Sequence, residues 1–134
     1  MLSLPPQVRV FLCTQPTDMR KGFDGLCGLV GEVFDQDVLS GHLFVFVNRR
    51  RDRVKLLAWD RDGLSIWYKR LESGTFQLPA RRRPKAQRRN RASSSFNASQ
   101  QAHAIELDAA ELSMLLAGID LTSARRRKRY RRVG

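Results

Sequence analysis

Two apolar runs separated by a basic turn constrain the fold more than any other part of the chain. The first run covers residues 42–47 (HLFVFV), the second covers residues 54–60 (VKLLAWD), and the polar segment NRRRDR lies between them. Both runs are too short for a typical helix, and they are rich in β-branched, aromatic and other apolar residues, so each is predicted to be a strand. Together they indicate a β-hairpin with its ladder in the core and a positively charged tip in water. The first run is apolar on both faces, which predicts a central strand.

The segment after this hairpin shows helical spacing. Its apolar residues are Leu64, Trp67, Tyr68 and Leu71. This i, i+3, i+4, i+7 pattern predicts a helix that begins at Asp62 as N-cap and is closed by Gly74. Residues 75–78 (TFQL) alternate and predict a short edge strand. We expect Trp67 and Tyr68 to pack in the core, with stacking on nucleic-acid bases as the alternative.

The N-terminal part predicts one strand followed by one helix. Alternation over residues 7–13 indicates the strand, and Thr17 or Asp18 can cap a helix that runs to about residue 35. Glycines recur every three residues along this helix, at Gly22, Gly25, Gly28 and Gly31. Because interior glycines weaken a helix, packing must stabilise it. We expect the glycine face to lie against the sheet, although it could also approach a partner.

The predicted architecture is a single small α+β domain. Its mostly antiparallel sheet of about four strands and its two helices occupy residues 7–79. A basic, polar linker covers residues 80–104, and residues 105–134 form a basic C-terminal extension with a short helix and an arginine-rich tail. A brief strand at Ile105 and Leu107 precedes this amphipathic helix, which spans residues 109–118 and starts with a capping box formed by Asp108 and Glu111. Its apolar face could dock on the domain's own sheet or bind a partner protein, and it consists of Leu112, Leu115, Leu116 and Ile119.

The formal net charge of +12 is concentrated in two short basic blocks. Residues 81–91 contain seven Lys and Arg without an acid, and residues 125–132 contain seven more, again without an acid. The other 11 of the 25 basic residues are outnumbered by the 13 acidic ones, so the rest of the chain is close to neutral. Blocks of like charge commonly bind polyanions, and nucleic acid is the first candidate partner.

Basic residues at the hairpin tip and in the two blocks are the candidate DNA-binding groups. A two-stranded ribbon fits the major groove, and clustered arginines neutralise phosphates. A solvated charged loop is the alternative for the tip. The candidates are Arg20, Lys21, Arg49, Arg50, Arg51, Arg53, Arg81, Arg82, Arg83, Arg125, Arg126, Arg127, Lys128 and Arg129.

The sequence offers little for catalysis. Metal-dependent nucleases need carboxylates that converge on divalent cations, and the candidates Asp18, Asp24, Asp60 and Asp62 are each explained as cap, first-turn or turn residues. The histidines and cysteines lack zinc-ligand spacing. Cys13 and Cys27 are expected to be reduced core residues of a cytosolic protein. No signal peptide or transmembrane run is expected, and neither is a cofactor or a metal.

Several ordered blocks of the chain resemble one known family. They are residues 17–26 (TDMRKGFDGL), 44–50 (FVFVNRR), 55–60 (KLLAWD), 67–76 (WYKRLESGTF) and 112–121 (LSMLLAGIDL). These blocks strongly resemble the TnpB-type accessory protein that is encoded beside the transposase in bacterial insertion sequences of the IS66 type. The resemblance implies a role in transposition, with the chemistry carried out by a separate transposase. It implies no catalytic residues.

We therefore expect a cytoplasmic, nucleoid-associated, non-enzymatic factor that binds DNA and assembles with the transposase of the same element. One alternative is a protein adaptor that binds the transposase through the helix at residues 109–118 and touches DNA only incidentally. A metal-dependent nuclease subunit is the second alternative.

Overall fold

Five strands form one sheet in a computed structural model of the chain, which describes residues 7–79 and 103–118. In chain order the elements are strand β1 (Val10–Cys13), helix α1 (Phe23–Phe34), a 3₁₀ turn (Val38–Ser40), strands β2 (Leu43–Val47), β3 (Arg53–Asp60), β4 (Gly63–Arg70) and β5 (Ala104–Leu107), and helix α2 (Ala109–Ala117). The strands lie in the order β4-β3-β2-β1-β5. Strands β1 and β2 are parallel and the other neighbours are antiparallel. The predicted α+β class is confirmed, with a mixed sheet and two helices.

Strand β2 is the centre of the sheet, as its apolar sequence predicts. All five of its residues are buried. Val45 and Val47 belong to a core cluster on one face, and Phe44 and Phe46 belong to a second cluster on the other face, where α1 packs. Alternate residues of a strand point to opposite faces, so a run that is apolar throughout is stable only when both faces are covered.

The predicted helix over residues 62–71 is wrong, because this segment is strand β4. It pairs with β3 along its whole length, from Asp60 opposite Gly63 to Arg53 opposite Arg70. A two-residue turn reverses the chain, with Arg61 at φ 54°, in place of the expected cap at Asp62. The eight cross-strand pairs stabilise the strand more than the helical spacing of four apolar residues would stabilise a helix. The aromatic and β-branched residues of this segment also favour a strand.

Residues 71–79 form an irregular segment, so the predicted edge strand at residues 75–78 is also wrong. Gly74 has a positive φ of 77°, but it lies within this segment and closes no helix. The Phe76 side chain is fully buried in the cluster with Val54 and Leu56. Its backbone N–H donates to the Arg51 carbonyl at 2.6 Å, and the N–H of Leu71 donates to the Asp52 carbonyl at 2.7 Å. The segment therefore packs against the β2–β3 turn.

Helix α1 begins later than predicted, and two of its glycines lie on the solvent-exposed side of the helix, away from the sheet. Its N-cap is Gly22, which makes no side-chain cap hydrogen bond, so neither Thr17 nor Asp18 caps it. Leu26, Val30 and Phe34 are its buried residues. Gly28 and Gly31 are exposed, and a Cβ at either position would meet nothing within 4 Å. The expectation that the glycine face packs on the sheet is therefore wrong for these two residues.

The C-terminal elements complete the sheet from beyond residue 79. Strand β5, predicted as a brief strand, pairs antiparallel with β1. The capping box of Asp108 and Glu111 is present at the start of α2. Leu112 and Leu115 of α2 are buried in the cluster that contains Val45. Of the two docking alternatives for this helix, the structure shows packing on the domain's own sheet.

Two further expectations concern cysteines and membranes. Cys13 and Cys27 are free thiols, as expected, with Cys13 buried and Cys27 partly buried. Burial raises the pKa of the Cys13 thiol above its ordinary value, which disfavours the nucleophilic thiolate. Within residues 7–79 and 103–118, neither helix is long and apolar enough to cross a membrane.

Candidate nucleic-acid interface

The tip of the β2–β3 hairpin, residues 48–53, is organised by the Asn48 side chain. Its Oδ1 accepts from the backbone N–H groups of Asp52 and Arg53, both at 3.0 Å. Its Nδ2 donates to the Asp52 carboxylate at 2.7 Å. The backbone of Asn48 adds a further bond, accepting from the N–H of Arg51 at 3.1 Å. Asparagine side chains commonly close turns in this way, so the tip is a defined loop.

Backbone hydrogen bonds from residues 71–79 also stabilise the tip. The carbonyls of Arg51 and Asp52 accept the backbone hydrogen bonds of Phe76 and Leu71. Arg51 adopts the left-handed conformation, with φ 59°. Because Phe76 is buried in the core, these bonds connect the tip backbone directly to the packed interior.

Arg49, Arg50 and Arg51 are exposed at the tip. Among the described residues, no ion pair or side-chain hydrogen bond occupies their guanidinium groups. Three free guanidinium groups on a fixed turn can bind phosphates or base edges without first breaking internal contacts. The structure therefore brings three of the predicted DNA-binding residues together at one end of the sheet.

Arg53 extends this basic surface along the hairpin to a shallow depression that we call the Tyr68 patch, lined by Arg53, Tyr68, Arg70 and Glu72. Arg53 Nη1 donates to the Tyr68 hydroxyl at 3.3 Å. Arg70 forms an ion pair with Glu72 at 2.8 Å. Sequence reasoning missed Arg70 and the exposure of Tyr68 because it placed both on a helix.

Lys55 is a buried residue beside the candidate site that the sequence analysis did not select. It is only 8% exposed, and its Nζ donates to the carbonyls of Met19 at 2.8 Å and Lys21 at 2.9 Å. The same Nζ lies 4.7 Å from the centroid of the Tyr68 ring. A buried lysine needs such partners. A single lysine inside an otherwise apolar run was the sequence feature that could have identified it. In the structure, Lys55 connects the segment before α1 to the Tyr68 patch.

Arg20 contributes less positive charge than expected. Its guanidinium pairs with the Asp18 carboxylate at 2.7 Å, and the Asp18 side chain also accepts from the Arg20 backbone N–H at 2.9 Å. Hydrogen bonds from Arg20 lower the pKa of the Asp18 carboxyl to about 2. Asp18 therefore stays ionised and offsets Arg20, whereas Lys21 is exposed without an acidic partner among residues 7–79 and 103–118.

The remaining candidates lie elsewhere or outside the described residues. The basic residues of both blocks, Arg81, Arg82 and Arg83 together with Arg125, Arg126, Arg127, Lys128 and Arg129, fall outside the described ranges, as does Ile119. Leu112 and Leu115 lie in the core and Leu116 packs against it, so they do not form an open partner-binding face. The predicted linker at residues 80–104 is described only from residue 103 onwards.

The carboxylates considered for metal binding are not brought together. In the described part of the chain, no group of three or more His, Cys, Asp or Glu residues could hold a metal ion. Asp60 ends strand β3, Asp62 lies in the β3–β4 turn, and Asp24 lies in the first turn of α1. His42 has a structural role, since its Nδ1 accepts from the Arg9 backbone N–H at 3.1 Å and its ring packs edge-on against Phe11.

Comparison with known proteins gives one family and two relatives. A family model described as IS66 Orf2 like protein matches residues 8–94, more than half of the chain. Two proteins of Sinorhizobium fredii, both described as uncharacterized, are similar over most of the chain. Protein y4jC is 32% identical over 120 residues, covering 90% of this chain and 86% of its own length. Protein y4hO is 34% identical over 134 residues and covers both chains completely. No solved structure is significantly similar.

Proposed function

The chain belongs to the family of IS66 Orf2-like proteins, and we propose that it is a non-catalytic accessory factor that binds DNA during transposition of an insertion sequence. Family membership supports a role in the transposition machinery. DNA binding and assembly with the transposase are the additional steps of this proposal. Such a factor works where the element's DNA is, in the cytoplasm and on the nucleoid.

The observation that carries the proposal is the hydrogen-bonded hairpin tip, whose three arginines have no side-chain partner among the described residues. Asn48 and residues 71–79 fix the turn, so Arg49, Arg50 and Arg51 lose little conformational freedom of the backbone on binding. A two-stranded ribbon fits the major groove of B-DNA, where an arginine reads guanine by two hydrogen bonds. We therefore assign sequence discrimination to the tip.

The basic blocks at residues 81–91 and 125–132 have a different role in this proposal. Their charge attracts phosphates without regard to sequence, and each contact releases counterions. With about six phosphate contacts, the logarithm of the binding constant should fall with the logarithm of the salt concentration at a slope near −5, from roughly −0.9 per contact.

Two variants test whether the tip provides sequence discrimination and the basic blocks provide phosphate binding. Equilibrium DNA binding is measured for each at several salt concentrations. Replacing Arg125, Arg126, Arg127 and Arg129 with alanine should flatten the slope by about 3–4 units and weaken element-end and random duplexes alike. Arg50→Ala should instead narrow the difference in affinity between the two duplexes, by about 1–3 kcal/mol if Arg50 makes a good base contact. If neither variant changes binding, the DNA-binding proposal fails.

The adaptor alternative is tested by capture of the transposase. Leu115 of α2 is buried in the core, so partner binding through Leu115 would require that helix to leave the sheet. The adaptor proposal predicts that the full chain captures its transposase equally with and without element-end DNA. Capture that depends on this DNA supports the accessory factor proposed here. The nuclease alternative predicts Mg²⁺-dependent cleavage that disappears in Asp60→Asn.

A further inference from the structure

Strand β4 exposes two neighbouring aromatic side chains that differ in their surroundings. Trp67 is 41% exposed and Tyr68 is 47% exposed, so the expectation that both pack in the core is wrong. Adjacent strand residues point to opposite faces of the sheet. Trp67 lies opposite Leu56, on the face that α2 covers, whereas Tyr68 lies opposite Lys55. Among the described residues, contacts with a cationic group are found for Tyr68, with Lys55 and Arg53, and not for Trp67.

The Tyr68 ring is held in a fixed orientation by these cations. The Lys55 ammonium covers one face of the ring, 4.7 Å from its centroid. Lys55 is in turn fixed by the carbonyls of Met19 and Lys21. Arg53 donates to the hydroxyl at the end of the ring. Because Lys55 covers one face and Tyr68 is 47% exposed beside the depression lined by Arg53, Arg70 and Glu72, a ligand can reach the ring from the side away from Lys55.

This arrangement fits a nucleotide better than a simple anion. An open aromatic face stacks on a nucleobase, and stacking tolerates any base because every base has a π-face. Arg53 and Arg70 are cross-strand partners at one end of the ring, where they can approach a phosphate next to a stacked base, although Glu72 already offsets the charge of Arg70. An isolated phosphate or an acidic peptide would use the arginines and leave the aromatic ring without a partner.

The base must be unpaired, because a base inside a duplex has both faces covered by its neighbours. The patch is also continuous with the proposed duplex-binding tip. Arg53 is the residue that follows the tip turn, and its backbone N–H is bonded to Asn48. We propose that the Tyr68 patch binds an unpaired base of DNA by stacking on Tyr68, next to duplex DNA held by the hairpin tip. The inference rests on the proposed DNA-binding function and adds the form of DNA that is recognised.

The test compares a duplex with the same duplex containing a short central stretch of unpaired thymines, using fluorescence anisotropy of labelled oligonucleotides. The full chain should bind the second DNA more tightly. Tyr68→Leu should weaken binding to it by roughly 5- to 150-fold, the range for loss of one base–aromatic stack, and leave duplex binding unchanged. Tyr68→Phe keeps the ring and should retain the preference.

Trp67→Leu is the matched control, since it removes a similarly exposed aromatic from the same strand but from the opposite face. It should leave both affinities unchanged. The inference is overturned if Tyr68→Leu weakens both DNAs equally, if Trp67→Leu has the same effect, or if the wild-type chain shows no preference for the unpaired stretch. Binding of free thymidine monophosphate as tight as that of the looped DNA would also overturn it, as would tighter binding of the matching single-stranded RNA.

These outcomes are distinguishable from failure of the proposed function. If the wild-type chain binds the plain duplex and Arg50→Ala reduces its sequence preference, the proposed function stands whatever the Tyr68 variants show. If the chain binds neither DNA, the proposed function itself fails.

Discussion

The strongest test of the tip as a preformed binding element is Asn48→Ala, which removes no charge. The substitution deletes three side-chain hydrogen bonds, two accepted from backbone N–H groups and one donated to Asp52. A typical hydrogen bond contributes about 0.5–1.5 kcal/mol net. Because the tip is only partly buried, water replaces some of these bonds, and we expect the free energy of unfolding to fall by about 1.5–3 kcal/mol.

Asp52→Ala is the comparison, since the one side-chain hydrogen bond it removes is that donated by Asn48 Nδ2, although it also removes a negative charge. Its loss of unfolding free energy should be smaller than that of Asn48→Ala, which removes the same bond and two more. Urea denaturation followed by the fluorescence of Trp59 and Trp67 measures both, because these residues lie on strands β3 and β4.

Asn48→Ala should also weaken DNA binding, because the backbone of the tip would no longer be ordered before binding. Each backbone residue that must be ordered again on binding costs about 1–2 kcal/mol, or roughly 5- to 30-fold in affinity. The salt dependence should be unchanged, because every arginine remains. A stability loss no larger than that of Asp52→Ala would refute the assigned role of Asn48. An altered salt slope with unchanged affinity would refute preorganisation as the source of binding.

Two further predictions concern the parts of the fold that the sequence placed wrongly. Gly31→Ala should raise the free energy of unfolding by about 0.5–1 kcal/mol, because a Cβ there meets nothing within 4 Å, and destabilisation would indicate a contact on that face. A chain that ends at Pro79 should lack a cooperative thermal transition, because it loses Leu107, Leu112 and Leu115 from the core, each Leu→Ala change alone costing about 2–5 kcal/mol. A transition like that of the whole chain would show that residues 7–79 fold alone.

Hydrophobic pattern predicted the centre of the sheet and failed at its edge. Strand β2 was found because an unbroken apolar run has few other solutions, and its hairpin with β3 followed from the polar turn. Strand β4 was missed because its exposed aromatics, Trp67 and Tyr68, happen to fall at helical spacing with Leu64 and Leu71. A half-buried strand is recognised by strict alternation, and the adjacent residues Ile66, Trp67 and Tyr68 break that alternation in β4.

The sequence predicted the positive charge of the candidate site and its place at a hairpin tip, but not the contacts that shape it. The position of Arg49–Arg51 at a hairpin tip followed from the sequence, whereas the bonds that fix the tip come from residues 71–79, which no local pattern relates to it. The Tyr68 patch depends on the cross-strand pairs Lys55 with Tyr68 and Arg53 with Arg70. Such neighbours appear only once the register of β3 and β4 is known.

The position of β1 between β2 and β5 has a consequence for how the protein is made. Val10 pairs with Leu43 on one side and with Leu107 on the other. At about 5–20 residues per second, roughly 3–13 s pass between synthesis of these two partners. During that interval β1 has an open edge, and the core face later covered by α2 lies bare. An unpaired strand edge is a template for wrong pairing. Each nascent chain therefore passes through a period of several seconds in which a chaperone, or a neighbouring nascent chain, competes with its own C-terminal segment.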